Sequence, residues 1–85
     1  FILEGSKLLV DVVAMHGELR VQVEHGATGL PALGLTFDEA HPLVGNVKLG
    51  LCSWKTSTLN PHKGRRIRLR FMLRRAIFYA FQIVT

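Results

Sequence analysis

Between Arg66 and Arg74 the chain alternates strictly: Ile67, Leu69, Phe71 and Leu73 on one side, Arg66, Arg68, Arg70, Met72 and Arg74 on the other. A period of two is the periodicity of a β-strand with one face in a core and one in water, and no helix accommodates it. The next stretch, Ala76–Val84, is apolar on both faces, with Ile77, Tyr79, Phe81 and Ile83 opposing Phe78, Ala80, Gln82 and Val84. A strand of that kind needs cover on its second face as well. Arg74-Arg75 is the predicted turn between these two strands.

Upstream, two further strands are predicted. Lys7–Val13 is a β-branched run, and Glu18–His25 places Leu19, Val21 and Val23 opposite Arg20, Gln22 and Glu24. Met15-His16-Gly17 between them predicts a β-hairpin with Gly17 in its loop. Gly26 to Pro42 is rich in turn formers, with room for a short strand at Leu35–Phe37. Another strand is predicted over Val47–Trp54, followed by a breaker-dense loop from Ser57 to Gly64. Helical periodicity is absent. Short strands at this spacing predict one all-β domain over residues 1–85, an antiparallel β-sandwich of jelly-roll type. Its expected core contains Leu19, Val21, Val23, Ile67, Leu69, Phe71, Leu73, Tyr79 and Phe81. Ala76–Val84 would leave Phe78, Ala80 and Val84 as an uncovered patch, which predicts a homodimer for the free chain.

Composition narrows the function classes. Of 85 residues 48% are hydrophobic, enough for a core, yet no apolar run approaches a membrane span. Phe1 rather than Met opens the sequence, so an upstream stretch is expected. Cys52 is the only cysteine, which excludes an internal disulfide and any multi-cysteine metal site. Cys52 and Trp54 on one predicted strand suggest that the thiol is simply buried. The histidines, His16, His25, His41 and His62, all fall in or beside predicted turns and have no metal-ligand spacing. Asp38 and Glu39 are adjacent and point apart if extended, so they form no acid/base pair. The sequence offers no catalytic residue, metal or cofactor site.

Two features point to binding. The net charge is +5, and Arg66, Arg68, Arg70 and Arg74 share one strand face, a candidate anion-binding row for phosphates or sulfates. Single-stranded nucleic-acid binders add exposed aromatics, whereas Phe71, Tyr79 and Phe81 are expected on core faces. Trp54 is either packed in the core, the commoner place for a Trp in a sandwich, or a carbohydrate contact, because an exposed indole stacks on a sugar ring.

A set of phrases in fixed order carries a resemblance. They are Gly5-Ser6-Lys7-Leu8-Leu9-Val10-Asp11, Gly17-Glu18-Leu19-Arg20-Val21-Gln22-Val23, Gly29-Leu30-Pro31-Ala32-Leu33-Gly34-Leu35 and Trp54-Lys55. The last third adds Gly64-Arg65-Arg66-Ile67-Arg68-Leu69-Arg70-Phe71-Met72-Leu73-Arg74-Arg75-Ala76 and Phe78-Tyr79-Ala80-Phe81-Gln82. Together these resemble the C-terminal β-sandwich that follows a β-propeller in glycoside-hydrolase-like proteins of the β-fructosidase and related type. Asp11, Asn46 and Phe78 depart from that pattern, where Asn, Asp and Leu are expected. The resemblance implies a non-catalytic accessory domain with a structural, docking or weak carbohydrate-binding role. It also implies a β-propeller of a parent protein as partner and an extracellular setting. The family's catalytic carboxylates lie in the propeller, so none carries over. The alternative is a small basic module that binds an acidic polymer through the arginine face.

Overall fold

A computed structural model describes all 85 residues, Phe1–Thr85. The protein is all-β, with an antiparallel sheet of four strands: β1 Lys7–His25, β2 Leu43–Leu51, β3 Ile67–Arg74 and β4 Ile77–Val84. Two short 3-10 turns, Phe37–Glu39 and Asn60–His62, interrupt the connections.

The long first strand organises everything else. It runs unbroken for 19 residues and pairs with every other strand. The hairpin expected at Met15-His16-Gly17 does not form, because the chain bends there without reversing. Burial records the bend. Leu8, Val10, Val12 and Ala14 are buried in the first half, all at even positions, whereas Leu19, Val21 and Val23 are buried in the second, all at odd positions. A strand can exchange its inward face in this way only if an irregularity adds or removes a residue from the pleat. The pairing with β2 shifts register between Ala14 and Leu19, where that exchange happens.

β3 and β4 lie end to end along the same edge of β1. Glu18–His25 pairs with β3, and Lys7–Val13 pairs with β4, both antiparallel. Residues 67–84 therefore form one bent run beside a bent partner, and Arg74-Arg75 is a corner rather than the expected turn. Arg75 takes a left-handed backbone there, with φ of 48°. Gly17 faces this corner, and any Cβ on it would meet the Arg74 carbonyl. Bare backbone is what lets the two bends nest.

The remaining edges are occupied by β2 and by irregular segments. β2 covers Leu43–Leu51 rather than Val47–Trp54, and Trp54 instead makes an isolated bridge to Ala40. The expected strand at Leu35–Phe37 is absent. There Val23 N–H donates to the Leu35 carbonyl at 3.0 Å, and Ala32 N–H to the Val23 carbonyl at 2.8 Å, so the 26–40 segment closes the edge of β1 that β2 has left. On the outer edge of β3, Ile67 N–H donates to the Phe1 carbonyl at 2.8 Å.

The core combines Leu3, Leu8, Leu19, Leu35, Leu59 and Ile67 with the inward valines of β1. The expected members Leu19, Val21, Val23 and Ile67 are buried, and Leu69 and Phe71 pack half-buried against them. Leu73, Tyr79 and Phe81 are exposed instead. Leu73 and Phe81 keep the inner side, opposite buried Leu19 and Val10, but remain partly open, whereas Tyr79 leaves it because the pairing of β4 with β1 slips between Asp11 and Val12. That slip turns Phe78 onto the core beside Phe71, with ring centroids 4.5 Å apart, and sends Tyr79 outward. Phe78, expected in the uncovered patch, is thus part of the inner packing.

Candidate functional site

The arginine row stands where the alternation placed it, with Arg66, Arg68, Arg70 and Arg74 all exposed. Its neighbours were not foreseen. Across the β1–β3 ladder Arg68 sits opposite Glu24, Arg70 opposite Gln22 and Arg74 opposite Glu18. Arg70 Nε lies 2.9 Å from Glu24 Oε2, and the same carboxylate accepts a bond from Gln22 Nε2 at 2.9 Å. Glu24 is only 5% exposed, so this pair is held at the surface by an otherwise buried carboxylate. Arg20 turns away from the row to Glu18 and to the carbonyls of Phe37 and Ala40. The row is a mixed-charge face with a positive excess, not a bare cationic track.

The other carboxylates have local tasks. Asp11 Oδ1 accepts the Leu49 N–H at 2.7 Å, which supports a bulge where Leu49 adopts φ of 52°. Glu39 Oε1 accepts the Thr36 hydroxyl at 3.0 Å. Asp38 and Glu39 share a 3-10 turn, as their neighbourhood predicted.

Trp54 is packed in the core, 6% exposed, with its indole N–H donating to the Val21 carbonyl at 3.0 Å. A ring held in that way cannot present its face to a sugar, so of the two readings of Trp54 core packing holds and the stacking contact does not. Its remaining edge lines the largest cleft of the molecule, of about 520 Å3. The aromatic residue most open to solvent is Tyr79, 63% exposed, ahead of Phe1 and Phe81. Sequence reasoning missed it because strict alternation cannot anticipate the bulge opposite Asp11.

Cys52 lies just beyond β2 and is buried, and burial pushes its thiol up to about 12. A thiol this far from ionisation is not a nucleophile at neutral pH. His41 Nδ1 lies 2.8 Å from Ser53 Oγ. His16 sits within β1 rather than in a turn, and His25 closes that strand. His62 departs most from the expected exposed loop histidine. Its Nδ1 is buried without a partner, and its ring centroid is 5.9 Å from that of His25.

The His62 ring is held below the ordinary 6.5 by desolvation first, then by the charges of His25 and Arg65. The folded chain binds that proton less readily than the unfolded chain, so stability rises with pH across the interval between their two pKa values. The contribution is complete above 6.5 and is lost as the pH falls through the lowered folded value. Urea melts should therefore show a lower midpoint at mildly acidic than at neutral pH, and His62→Gln should narrow the gap. An unchanged gap in the variant would assign the acid sensitivity to other groups.

No group of three or more His, Cys, Asp or Glu side chains is arranged to hold a metal ion. No helix is long and apolar enough to cross a membrane. Comparison with protein-family models, with curated proteins and with solved structures returns no match to this chain.

Proposed function

We propose that the chain is a non-catalytic accessory β-sandwich of a carbohydrate-active protein, docked on that protein's β-propeller through the outer face of its β2–β1–β4 half. One observation carries this reading, a broad exposed apolar face. The pairs Leu9↔Leu51 and Val13↔Ile77 place those residues on the odd face of β1, opposite its buried even positions. Leu49 and Tyr79 join them from the two bulges flanking Asp11. Ile77 is 59% and Leu49 58% exposed, in the company of Leu51 and Tyr79. Contiguous apolar surface of this kind marks an interaction site on a soluble domain.

Further support comes from the parity exchange in β1. A strand that switches its inward face at a corner is the device by which one strand serves both sheets of a sandwich. The engaged carboxylates Asp11, Glu18, Glu24 and Glu39 favour a non-catalytic role, since a glycosidase needs two free carboxyl groups facing one bond. The alternative, a polyanion module, is less well supported because Glu18 and Glu24 stand within the arginine face.

Freed from its neighbour, the apolar face should pair with a second copy. Sedimentation equilibrium of the purified chain should show reversible self-association that disappears in the double variant Ile77→Glu, Tyr79→Glu. A monomer persisting at high concentration would overturn the docking face. Measurable turnover of fructosides or arabinosides by the chain would overturn the non-catalytic assignment.

A further inference from the structure

We propose that the cleft beside Trp54 is a binding site for an acidic saccharide, one bearing a carboxylate or sulfate group near Lys7. The cleft is formed where the start of β1, the end of β2 and the 57–60 loop converge. At about 520 Å3 it falls within the range of small-molecule sites.

Its lining has the chemistry of a sugar site. Trp54 and Leu59 form a buried apolar floor, and Leu51 lies at the rim where the cleft meets the docking face. Around this stand polar groups with no partner in the fold: the hydroxyls of Ser57 and Thr58, the amide of Asn60 and the ammonium of Lys7. The backbone N–H groups of Ser57, Thr58 and Leu59 likewise donate to no carbonyl of the chain. Hydroxyls and an amide both donate and accept, so they match the mixed donor and acceptor pattern of a polyol. Ser53 is committed to His41 and does not belong to this free set.

Charge selects among saccharides. Lys7 is the one basic side chain lining the cleft, and no carboxylate lines it. An unpaired ammonium beside hydroxyl donors favours an oxyanion on the ligand over a neutral sugar. None of the arginines of the β3 row lines the cleft, so the two surfaces are separate. The walls are well anchored: Cys52 N–H donates to the Leu8 carbonyl at 2.9 Å, and Lys55 N–H to the Glu39 carbonyl at 2.9 Å. A preformed site of this kind loses little to ordering on binding.

Trp54 is the only tryptophan, so its emission reports on the cleft directly. The purified chain should be titrated with a galacturonate trimer, a sulfated galactan fragment and neutral maltotriose. A saturable change in emission is expected with one or both anionic oligosaccharides and not with maltotriose, and comparing the two identifies carboxylate or sulfate as the preferred group. Lys7→Gln should weaken binding about tenfold, the effect of losing one charge-assisted hydrogen bond. Far-UV circular dichroism should be unchanged, because Lys7 is exposed. Arg68→Gln with Arg74→Gln should leave the affinity intact. No response to either anionic probe, equal binding of maltotriose, an unaltered Lys7→Gln affinity or a loss through the arginine variants would each overturn the proposal. The ligand class rests on the carbohydrate-related reading above. Sedimentation tests the docking face and fluorescence tests this cleft, so either can fail alone.

Discussion

Gly17→Ala should destabilise the protein by about 3 kcal/mol, at the upper end of what overpacking costs, or prevent folding outright. The added methyl would fall on the backbone carbonyl of Arg74 and against Arg75 Cβ, where the corner of β1 nests against the corner between β3 and β4. A flexible side chain could swing aside, but a carbonyl within a sheet cannot move without breaking its ladder. Gly45→Ala is the matching control. That residue has φ of 84° but nothing within 4 Å of its Cβ, so only local backbone strain of about 1–2 kcal/mol opposes the methyl. Urea denaturation of both variants should rank Gly17→Ala well below Gly45→Ala. Equal midpoints would mean that the two bends are not in close contact.

The same corner explains what could be read from the sequence and what could not. Alternation in Arg66–Arg74 gave the correct strand, the correct faces and the exposed arginine row, because the pleat there is regular against Glu18–His25. Alternation over Glu18–His25 was also correct, with Leu19, Val21 and Val23 buried. Only the connection failed, since a glycine beside polar residues has the same composition in a hairpin loop as in a bend of a continuous strand. The difference is decided by a partner more than 50 residues away: residues 67–84 run alongside and hold the strand extended through the bend. Tyr79 and Phe78 exchanged their expected places for a related reason. One bulge opposite Asp11 inverts the pattern of β4 over Ile77–Tyr79 and leaves Phe81 and Ile83 on their expected side, and a sequence apolar on both faces carries no signal of where such a bulge falls.

The candidate site was legible in the same partial way. Trp54 and the loop from Ser57 onward stood out by composition. Convergence with Ser6 and Lys7 depends on the pairing of β1 with β2, which places the end of one strand at the start of the other. No local pattern encodes that meeting. Nor did the arginine alternation reveal that Glu24, on a neighbouring strand, would tie down Arg70. Local periodicity specifies faces, while the chemistry of a surface depends on which strand lies beside it.

Trp54→Ala should cost about 3–5 kcal/mol, the usual range for removing a buried large aromatic side chain. A domain of this size buries only a little over 60% of its chain surface and has roughly 5–10 kcal/mol of stability to lose. The variant should therefore keep only about 0–7 kcal/mol and melt well below the native chain, as read by far-UV circular dichroism, which does not depend on the missing indole. Two contributions combine in that loss. The indole fills the interior where the 52–59 segment crosses β1, and its N–H satisfies the Val21 carbonyl at 3.0 Å. Trp54→Phe separates them: it keeps most of the ring and removes the donor, leaving a buried carbonyl unpaired at a cost of about 1–3 kcal/mol. Its midpoint should fall between those of the native chain and Trp54→Ala. If Trp54→Phe matches the native chain, the hydrogen bond contributes nothing and packing alone fixes the ring. If Trp54→Ala is no less stable than Trp54→Phe, the ring is not part of the core, and the floor of the proposed cleft must be redrawn.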